Sequence, residues 1–378
     1  MHMTGALRIG ILGGGQLGRM LLQSAANYHV ETFVLESGSN PPASSVSHHF
    51  VAGDINDYET VYNFGKQVDV LTIEIEHVNL EALFKLEGEG LKIYPRPSAL
   101  QIIKDKGLQK EFYKVNHIPT SGFHLIQRKH ELQSHINFLP VAQKLRSGGY
   151  DGKGVEILRE VEDFHKAFDA PSVIERLVSI QKEISVIVAR NAQGDTAVYP
   201  AVEMVFDPRY NLVDFLVSPA ELTDEQNIAA HKIAIDVLNA LNSPGIFAVE
   251  MFLNTEGEIL VNETAPRTHN SGHQSIEGNY CSQYDMQMRV LQGFPLGDTS
   301  PVKPSLMLNL IGEPNFTGPV VYQGLNEVLA LKDVYVHLYG KHETKPGRKM
   351  GHVTILGEDK EELLRKAEFI KLHLKVVS

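Results

Sequence analysis

The sequence contains a single cysteine, Cys281, among its 378 residues. One cysteine cannot form an intramolecular disulfide, and it cannot build a structural zinc site that needs several thiolates. Because disulfides are rare in reducing compartments, this scarcity is typical of a cytoplasmic protein. No stretch approaches 18 consecutive apolar residues, and no basic segment followed by a signal-peptide core begins the chain. We therefore expect neither a membrane span nor secretion.

Long blocks of lysine and arginine are also missing, and the net charge is −11. This balance argues against a nucleic-acid-binding surface. An acidic chain can still bind anions where it concentrates its cations locally. The hydrophobic content of 43% is ordinary for a globular protein, and the length predicts two or three domains.

The most informative segment predicts a β-hairpin. Two strand-like stretches, Ala248–Leu253 and Glu258–Asn262, flank a run of turn-forming residues. A two-residue turn at Glu256-Gly257 would place Glu250 directly opposite Glu263, with their Cβ atoms about 5 Å apart. The hairpin would then carry two acids on one face.

Two acids that oppose each other across a ladder repel, so this arrangement favours a cation between them. Mg²⁺ usually takes one or two protein carboxylates together with substrate phosphates, which fits Glu250 and Glu263. Arg267, His269 and Asn270 follow on a polar loop. The segment predicts a metal–nucleotide site with an anion pocket beside it. The alternative is an edge hairpin whose acids are solvated.

A glycine turn follows the first strand-like segment. After Arg8–Leu12, the residues Gly13, Gly15 and Gly18 have the spacing G-x-G-x-x-G, and a helical pattern and a second strand come next. Glu36 lies about 20 residues on, where a dinucleotide site has its ribose-binding acid. The pattern predicts a dinucleotide-binding domain. Such a turn also holds other phosphates, or serves only close helix–strand packing.

A further strand is predicted over Val68–Ile75, and its end carries Glu74, Glu76 and His77. The carboxyl ends of parallel strands are where open α/β sheets bind ligands, although a solvated strand end is the plain alternative. The proline-rich stretch 94–98 then predicts the first domain boundary.

A helix is predicted over Ala99–Val115, with Ser98 as its N-cap, and it carries Lys104, Lys106 and Lys110.

Another lysine precedes a glycine-rich loop. The predicted strand Val141–Leu145 places Lys144 just before residues 147–154, SGGYDGKG, whose backbone amides can approach phosphates closely. The loop lacks the Gly-Lys-Ser/Thr ending of a Walker A motif. We expect a phosphate-covering loop, with a plain surface loop as the alternative.

Two strands joined by a short connection are predicted at Pro171–Leu177 and Glu183–Ala189. Backbone groups of the connection would read an adenine, and Glu183 would accept hydrogen bonds from ribose hydroxyls. Ordinary antiparallel strands explain the spacing equally well. An amphipathic helix is predicted over Asp224–Asn242.

The C-terminal part begins after a second linker at 300–305 and contains a cationic connection, Gly340–Gly351. Predicted strands and a helix surround it: Leu306–Ile311, Val334–Tyr339, His352–Leu356 and residues 360–374. The connection holds four cations, Lys341, Lys345, Arg348 and Lys349. Such a group suits a phosphate monoester, and a solvated hairpin tip is the alternative.

These segments together resemble the 5-(carboxyamino)imidazole ribonucleotide synthetases, the ATP-grasp carboxylases of bacterial and fungal purine biosynthesis. The motifs are GGGQLGRM at 13–20, TIEIEHV at 72–78, GGYDGKG at 148–154, NETAPRTHNSGH at 262–273 and KPGRKMGH at 345–352. They occur in the family's order over nearly the whole chain, and the fourth is the most specific.

The resemblance implies an ATP-grasp fold of α/β and α+β class in three domains. These are a Rossmann-like domain at 1–97, an ATP-grasp domain at 98–299 with a lid at about 120–190, and a small β-rich domain at 300–378. It implies that ATP and bicarbonate carboxylate 5-aminoimidazole ribonucleotide, with Mg²⁺ or Mn²⁺ as the metal. It also implies a cytoplasmic homodimer without nucleic-acid or membrane partners.

Residue roles follow from the same resemblance. The metal ligands would be Glu250 and Glu263. The ATP contacts would be Lys106, Lys144, Gly149, Glu175, Leu177, Glu183, Asn262 and Glu263. The ribonucleotide contacts would be Gly15, Gln16, Leu17, Glu76, Tyr150, Asp151, Lys153, Arg267, Lys341 and Arg348. The reacting groups would meet Arg267, His269, Asn270 and Lys144.

Three alternatives stay open at this point. The turn Gly13–Gly18 with Glu36 suggests an NAD-dependent oxidoreductase, which leaves the acidic hairpin unexplained. The others are a non-catalytic nucleotide sensor and another ATP-grasp ligase, such as a formate-dependent glycinamide ribonucleotide transformylase. The sequence does not say whether the amine attacks carboxyphosphate or captures released CO₂, nor which group takes the amine proton.

Overall fold

The N-terminal part of the chain is a parallel sheet with helices on it. The structure is a computed structural model that describes residues 5–38, 40–149, 154–207 and 212–378. The first sheet has the order β3-β2-β1-β4-β5. Its elements are β1 (Leu7–Leu12), α1 (Gln16–Ala25), β2 (Val30–Glu36), β3 (His49–Ala52), α2 (Tyr58–Gly65), β4 (Val70–Ile73), α3 (Leu80–Gly88) and β5 (Lys92–Ile93). The predicted strand–helix–strand unit at the N-terminus is confirmed.

The glycine turn between β1 and α1 binds an acid of the chain itself. The Gly15 N–H donates to Glu74 Oε1 at 2.5 Å, and the Gly18 N–H donates to Glu74 Oε2. Glu36, the predicted ribose acid, accepts from the Gly14 N–H at 3.0 Å. Because carboxylates already occupy the amides that a pyrophosphate would need, the structure argues against the dinucleotide hypothesis.

The helix predicted over residues 99–115 is two helices in the structure, α4 (Pro97–Ile103) and α5 (Lys106–Val115). Asp105 separates them, since its side chain caps α5 by accepting two backbone N–H groups. The prediction that Ser98 is an N-cap is wrong, because α4 already begins one residue earlier.

An antiparallel sheet lies in the segment predicted to be the lid. Its order is β6-β9-β7-β8. Its strands are β6 (Phe123–Ile126), β7 (Val141–Leu145), β8 (Val155–Leu158) and β9 (Ser172–Arg176), with 3₁₀ turns at Lys129–Phe138 and Val161–Lys166. Ile126, Leu132 and Ile174 pack in its small core. The predicted bounds of β7 are confirmed.

The largest sheet runs through the central and C-terminal parts in the order β15-β14-β10-β12-β13-β16-β21-β19. Its central elements are β10 (Ile180–Arg190), β11 (Thr196–Val198, beside β10), β12 (Val202–Asp207), β13 (Leu212–Ser218), α6 (Asp224–Leu241), β14 (Gly245–Asn254), β15 (Ile259–Ala265), α7 (Ser275–Gly278) and α8 (Gln283–Gln292). The helix α6 buries Ala234, Val237 and Leu238 against β10 and β14, which forms the main core.

The C-terminal strands extend this sheet, so it crosses residue 300, where the last domain is predicted to begin. The remaining elements are β16 (Ser305–Ile311), β17 (Gly318–Pro319), β18 (Val321–Gln323), α9 (Leu325–Leu329), β19 (Val334–Leu338), β20 (Glu343–Thr344), β21 (Lys349–Leu356), α10 (Lys360–His373) and β22 (Lys375–Val377). The domain boundaries stay predictions. Within the described ranges, every helix is too short or too polar to span a bilayer.

The β14–β15 hairpin pairs Glu250 with Glu263, as predicted, but through a different turn. The Asn254 N–H bonds the Glu258 carbonyl at 2.9 Å, so the loop has three residues rather than two. A β-bulge at Asn262 then shifts the register by one residue. Without this bulge, Glu250 would face Asn262.

We predict that Gly15→Ala destabilises the fold by about 1–3 kcal/mol, because the new methyl group would overpack the glycine turn. Its Cβ would lie 2.6 Å from Glu74 Oε1, which is too close for two unbonded atoms. Gly88→Ala is the matched control, since its Cβ would meet nothing within 4 Å. Urea unfolding measures the free energy of unfolding of both variants, and equal values would contradict the packing argument.

Candidate active site

The two opposed acids of the hairpin lie beside a lysine. Lys106, the first residue of α5, forms an ion pair with Glu263. The Glu263 side chain is 40% exposed and that of Glu250 is 15% exposed, so the pair opens to solvent on one side. His269 Nε2 lies 3.5 Å from Glu250 Oε1. The structure thus brings both predicted metal ligands, a predicted ATP contact and a predicted catalytic residue together.

The two acids differ in protonation because their neighbours differ. Burial raises the pKa of Glu250, and repulsion from Glu263 and Glu183 raises it further. The charge of Lys106 lowers the pKa of Glu263 despite its burial. Burial would lower the pKa of Lys106, but the attraction of Glu263 outweighs it. The pKa values of the two acids are therefore pushed in opposite directions, and the charge of Lys106 offsets part of their repulsion.

A second ion-pair network lies deeper in the cleft. Glu175 contacts Lys110 at 2.7 Å and Lys144 at 3.0 Å, and the carboxylate is buried. Lys144 also donates to Asn262 Oδ1 at 2.6 Å. Burial opposes the ionised form of Glu175, but the two lysines lower its pKa to about 2. Burial lowers the pKa of Lys110 to about 8.

The predicted adenine contacts have other partners in the structure. The Glu175 side chain belongs to the lysine network, and its backbone pairs with Phe123 and Ala142 in the sheet. The Leu177 N–H donates to the Pro140 carbonyl at 3.0 Å. Glu183 was predicted to open a strand, but β10 begins three residues earlier, so Glu183 lies inside it. Burial raises the pKa of Glu183.

The glycine-rich loop is anchored at both ends next to this network. Leu145 N–H donates to the Gly154 carbonyl at 2.9 Å, and Gly149 packs close to Gly154. At the start of the loop Arg146 pairs with Asp105 at 2.7 Å, which connects β7 to the capped end of α5. The predicted substrate contacts Tyr150, Asp151 and Lys153 lie outside the described residues.

The loop after β15 carries the remaining catalytic predictions. Arg267 Nε lies 2.9 Å from Glu76 Oε1, so an acid at the end of β4 faces this arginine. Burial opposes the charge of Arg267, but Glu76 raises its pKa. His269 Nδ1 contacts Ser271 Oγ at 2.9 Å, and Asn270 Nδ2 donates to Asn309 Oδ1 at 2.9 Å.

The cationic connection of the C-terminal part approaches the N-terminal end of α1. Gly340 lies against the Arg19 guanidinium, and His342 contacts Asn40 at 2.9 Å. Lys341 Nζ donates to a backbone carbonyl at 2.6 Å, and Arg348 Nη1 does so at 2.7 Å. The predicted contacts Gly15, Gln16 and Leu17 thus share one end of the cleft with this connection, although the Gly15 N–H is already bonded to Glu74.

Two residues that hold the site have no predicted contact: Lys110, which was predicted only to lie on the helix, and Asn309. Lys110 lies four residues after Lys106 on the same helix face, a spacing that could have suggested a shared target. Asn309 is the one polar residue in the apolar run LMLNLI, which is a signal of a specific side-chain contact.

We predict that Glu250 makes the protein less stable as the pH rises. Because its pKa in the fold lies above the ordinary value of 4.5, the folded state holds a proton that the unfolded state has released. Its stabilisation is complete below that value and is lost as the pH rises towards the folded pKa, by at most about 1.4 kcal/mol per pH unit.

Urea unfolding between pH 5 and 9 measures this effect. Glu250→Gln should remove the downward slope relative to the parent protein. Glu256→Gln, on the exposed turn of the same hairpin, should leave the slope in place. A parent protein and a Glu250→Gln variant with parallel pH profiles would contradict the assignment.

Family models match the chain in three consecutive segments. The ribonucleotide synthetase preATP-grasp domain matches residues 6–104, the ATP-grasp domain matches 111–284, and the phosphoribosylaminoimidazole carboxylase C-terminal domain matches 305–366. The predicted ATP-grasp fold with flanking N- and C-terminal domains is confirmed.

Known proteins resemble the chain over nearly its whole length. A chloroplastic phosphoribosylaminoimidazole carboxylase of Vigna aconitifolia is 36% identical over 92% of the chain, which spans 64% of that longer protein. N5-carboxyaminoimidazole ribonucleotide synthetase from Thermotoga maritima is 40% identical, with a TM-score of 0.92 over 98% of this chain and 99% of that one. The Aspergillus clavatus synthase, solved with ADP and 5-aminoimidazole ribonucleotide, is 32% identical, with a TM-score of 0.87 over 97% of this chain and all of that one. The chain therefore belongs to the N5-carboxyaminoimidazole ribonucleotide synthetase family of ATP-grasp proteins.

Proposed function

We propose that this protein is a carbon–nitrogen ligase that carboxylates 5-aminoimidazole ribonucleotide with bicarbonate at the expense of ATP. The products are 5-(carboxyamino)imidazole ribonucleotide, ADP and phosphate, in de novo purine biosynthesis. The observation that carries the proposal is the Glu250–Glu263 pair, which faces two lysines and an arginine in one cleft. The relative from Aspergillus clavatus, solved with ADP and this ribonucleotide, supports the choice of substrate.

The acid pair fits a divalent cation. Both side chains offer hard oxygen ligands on one face of the sheet, and the exposed part of Glu263 lets an ion reach them. When bound between Glu250 and Glu263, Mg²⁺, or Mn²⁺ in its place, would neutralise charge on the phosphates of ATP. Asn262, on the bulge next to Glu263, adds an amide to the same edge.

Lys106 and Lys144 would bind the phosphates of ATP. In the structure Lys106 contacts Glu263, and a cation shared by the two acids would take over that contact. Lys106 would then be released to a phosphate oxygen nearby. Lys144 lies 3.0 Å from Glu175, and Lys110 contacts the same carboxylate at 2.7 Å. The backbone after β9 and Glu183 would bind adenine and ribose, and Gly149 would approach the phosphates.

Arg267, His269 and Asn270 would hold bicarbonate during phosphoryl transfer. Bicarbonate attacks the γ-phosphorus, the bond to the β-phosphate oxygen breaks, and carboxyphosphate and ADP form. Positioning and charge stabilisation are the chief demands of this step, and Arg267 supplies a positive charge beside the metal ligands. The amine then bonds to the carboxyl carbon, directly or after release of CO₂, and phosphate leaves. Carboxyphosphate hydrolyses in water, so residues 147–154 would cover it.

The ribonucleotide would lie between the N-terminal and C-terminal parts. Gly15–Leu17 and Glu76 would line one side of this position, and Lys341 and Arg348 would approach from the other. Lysine and arginine suit the phosphate monoester of the substrate. Tyr150, Asp151 and Lys153 would complete the contacts from the covering loop.

We also propose, from the family resemblance, that the protein acts as a cytoplasmic homodimer. An open apolar groove of about 470 Å³ lies between α4 and α5, and Leu108 and Val115 are exposed there. Such a groove is compatible with a protein–protein contact.

The function is tested by measuring phosphate release with each substrate omitted in turn. We expect release to require ATP, Mg²⁺ and bicarbonate, and to be fastest when 5-aminoimidazole ribonucleotide is present. Formate with glycinamide ribonucleotide, and NADH in a thermal-shift assay, should have no effect. A rate of phosphate release that is the same with and without bicarbonate and the ribonucleotide would contradict the proposal. Activity with formate would favour the transformylase alternative.

Glu263→Gln should abolish ATP turnover and leave the fold intact. The amide keeps the shape of the side chain but removes the charge that the cation and Lys106 both need. The loss should exceed tenfold in kcat at saturating Mg²⁺, since each factor of ten corresponds to about 1.4 kcal/mol. Glu256→Gln, on the same hairpin but exposed, serves as the control. Retention of more than about a tenth of the activity would reject the metal-bridge argument.

A further inference from the structure

The side-chain amide of Asn309 holds the Asn270 side chain through two hydrogen bonds, one in each direction. Asn270 Nδ2 donates to Asn309 Oδ1 at 2.9 Å, and Asn309 Nδ2 donates back to Asn270 Oδ1 at 3.1 Å. Asn309 Nδ2 also donates to the Val213 carbonyl at 2.7 Å. Asn309 lies on β16, between β13 and β21 of the large sheet. One side chain thus connects three segments that are distant in sequence.

The Val213 carbonyl fixes which way the Asn309 amide faces. A backbone carbonyl only accepts, so the Asn309 Nδ2 group must point towards it. The opposite orientation would place two oxygens 2.7 Å apart. With Nδ2 fixed in this way, Asn309 Oδ1 accepts from Asn270 Nδ2, and the Asn270 amide is fixed in turn. Turning Asn270 over would set donor against donor and acceptor against acceptor.

The pair leaves Asn270 with one N–H and one oxygen lone pair for a ligand. An amide carries two N–H donors and two lone pairs, and the contact with Asn309 uses one of each. Bicarbonate and carboxyphosphate are anions, and they need donors held in place before charge develops on them. The orientation of the Asn270 amide therefore determines whether a donor or an acceptor meets the anion.

We infer that Asn309 is a positioning residue, which keeps an N–H of Asn270 aimed at bicarbonate and carboxyphosphate. This inference rests on the proposed function, and it adds a role for the C-terminal part beyond the cations of residues 341–349. Because β16 joins the large sheet through its backbone, the amide pair is held by a rigid element rather than by a loop.

The test is Asn309→Asp, which keeps the shape of the side chain. A carboxylate can accept from Asn270 Nδ2, but it cannot donate to the Val213 carbonyl or to Asn270 Oδ1. We expect product formation to fall by about ten- to hundredfold, with the KM for ATP changed less than about twofold. Phosphate release should exceed product formation, because carboxyphosphate that is poorly held hydrolyses. The loss of product formation relative to the parent protein should become smaller as the pH falls, because the new carboxyl group regains a proton that it can donate.

Two further variants complete the design. In Asn309→Ser the side chain is too short to reach Asn270, so this variant should also release excess phosphate. Its loss of product formation should not depend on pH. Thr354→Val, on the neighbouring strand β21, removes a buried hydroxyl that lacks a hydrogen-bond partner among the described residues. It should leave the ratio of phosphate to product near that of the parent protein.

Three outcomes would overturn the inference. These are an Asn309→Asp variant with the parent's ratio of phosphate to product, a loss of product formation in that variant that is the same at all pH values, and an equal rise of the ratio in Thr354→Val. Failure of the proposed function gives a different result, since the parent protein itself would then release no phosphate in response to bicarbonate and the ribonucleotide.

Discussion

The repulsion between Glu250 and Glu263 is the constraint on which the site depends. The ladder of β14 and β15 forces the two acids to face each other, and neither can turn away without breaking the register. Lys106 forms an ion pair with Glu263, and burial together with repulsion from Glu263 raises the pKa of Glu250, which favours its uncharged form. Asp105 caps α5, and the first residue of that helix, Lys106, lies at the hairpin. The carboxylates of Glu250 and Glu263 therefore favour the binding of a positive charge between them.

The same logic explains how an acidic chain can bind several anions. Each of the cations Lys106, Lys144 and Arg267 contacts a carboxylate of the chain itself. A partly buried lysine or arginine without such a partner would be costly, so these contacts hold the side chains in place. Under the proposed function, anionic substrates would meet cations whose side chains are already oriented.

Sequence patterns predicted the local elements well and the long-range contacts poorly. The strand–helix–strand start and β7 follow from local alternation and turn chemistry. The bulge at Asn262 does not, because it depends on how β15 meets β14 beyond the turn. The predicted two-residue turn led to the observed pair only because the longer loop and the bulge compensate each other. The contacts of Lys110 and Asn309 join segments far apart in the chain, which a single sequence does not show.

The glycine turn shows most clearly why a motif needs its surroundings. Gly13, Gly15 and Gly18 create a concave set of amides at a helix N-terminus, and this much is local. Which anion occupies it is decided by Glu74, at the end of a strand 59 residues after Gly15. A methyl group at any of these glycines would approach the Glu74 carboxyl group, so the glycines are explained by that acid. The amides that a dinucleotide would need are thus bonded to carboxylates of the chain itself.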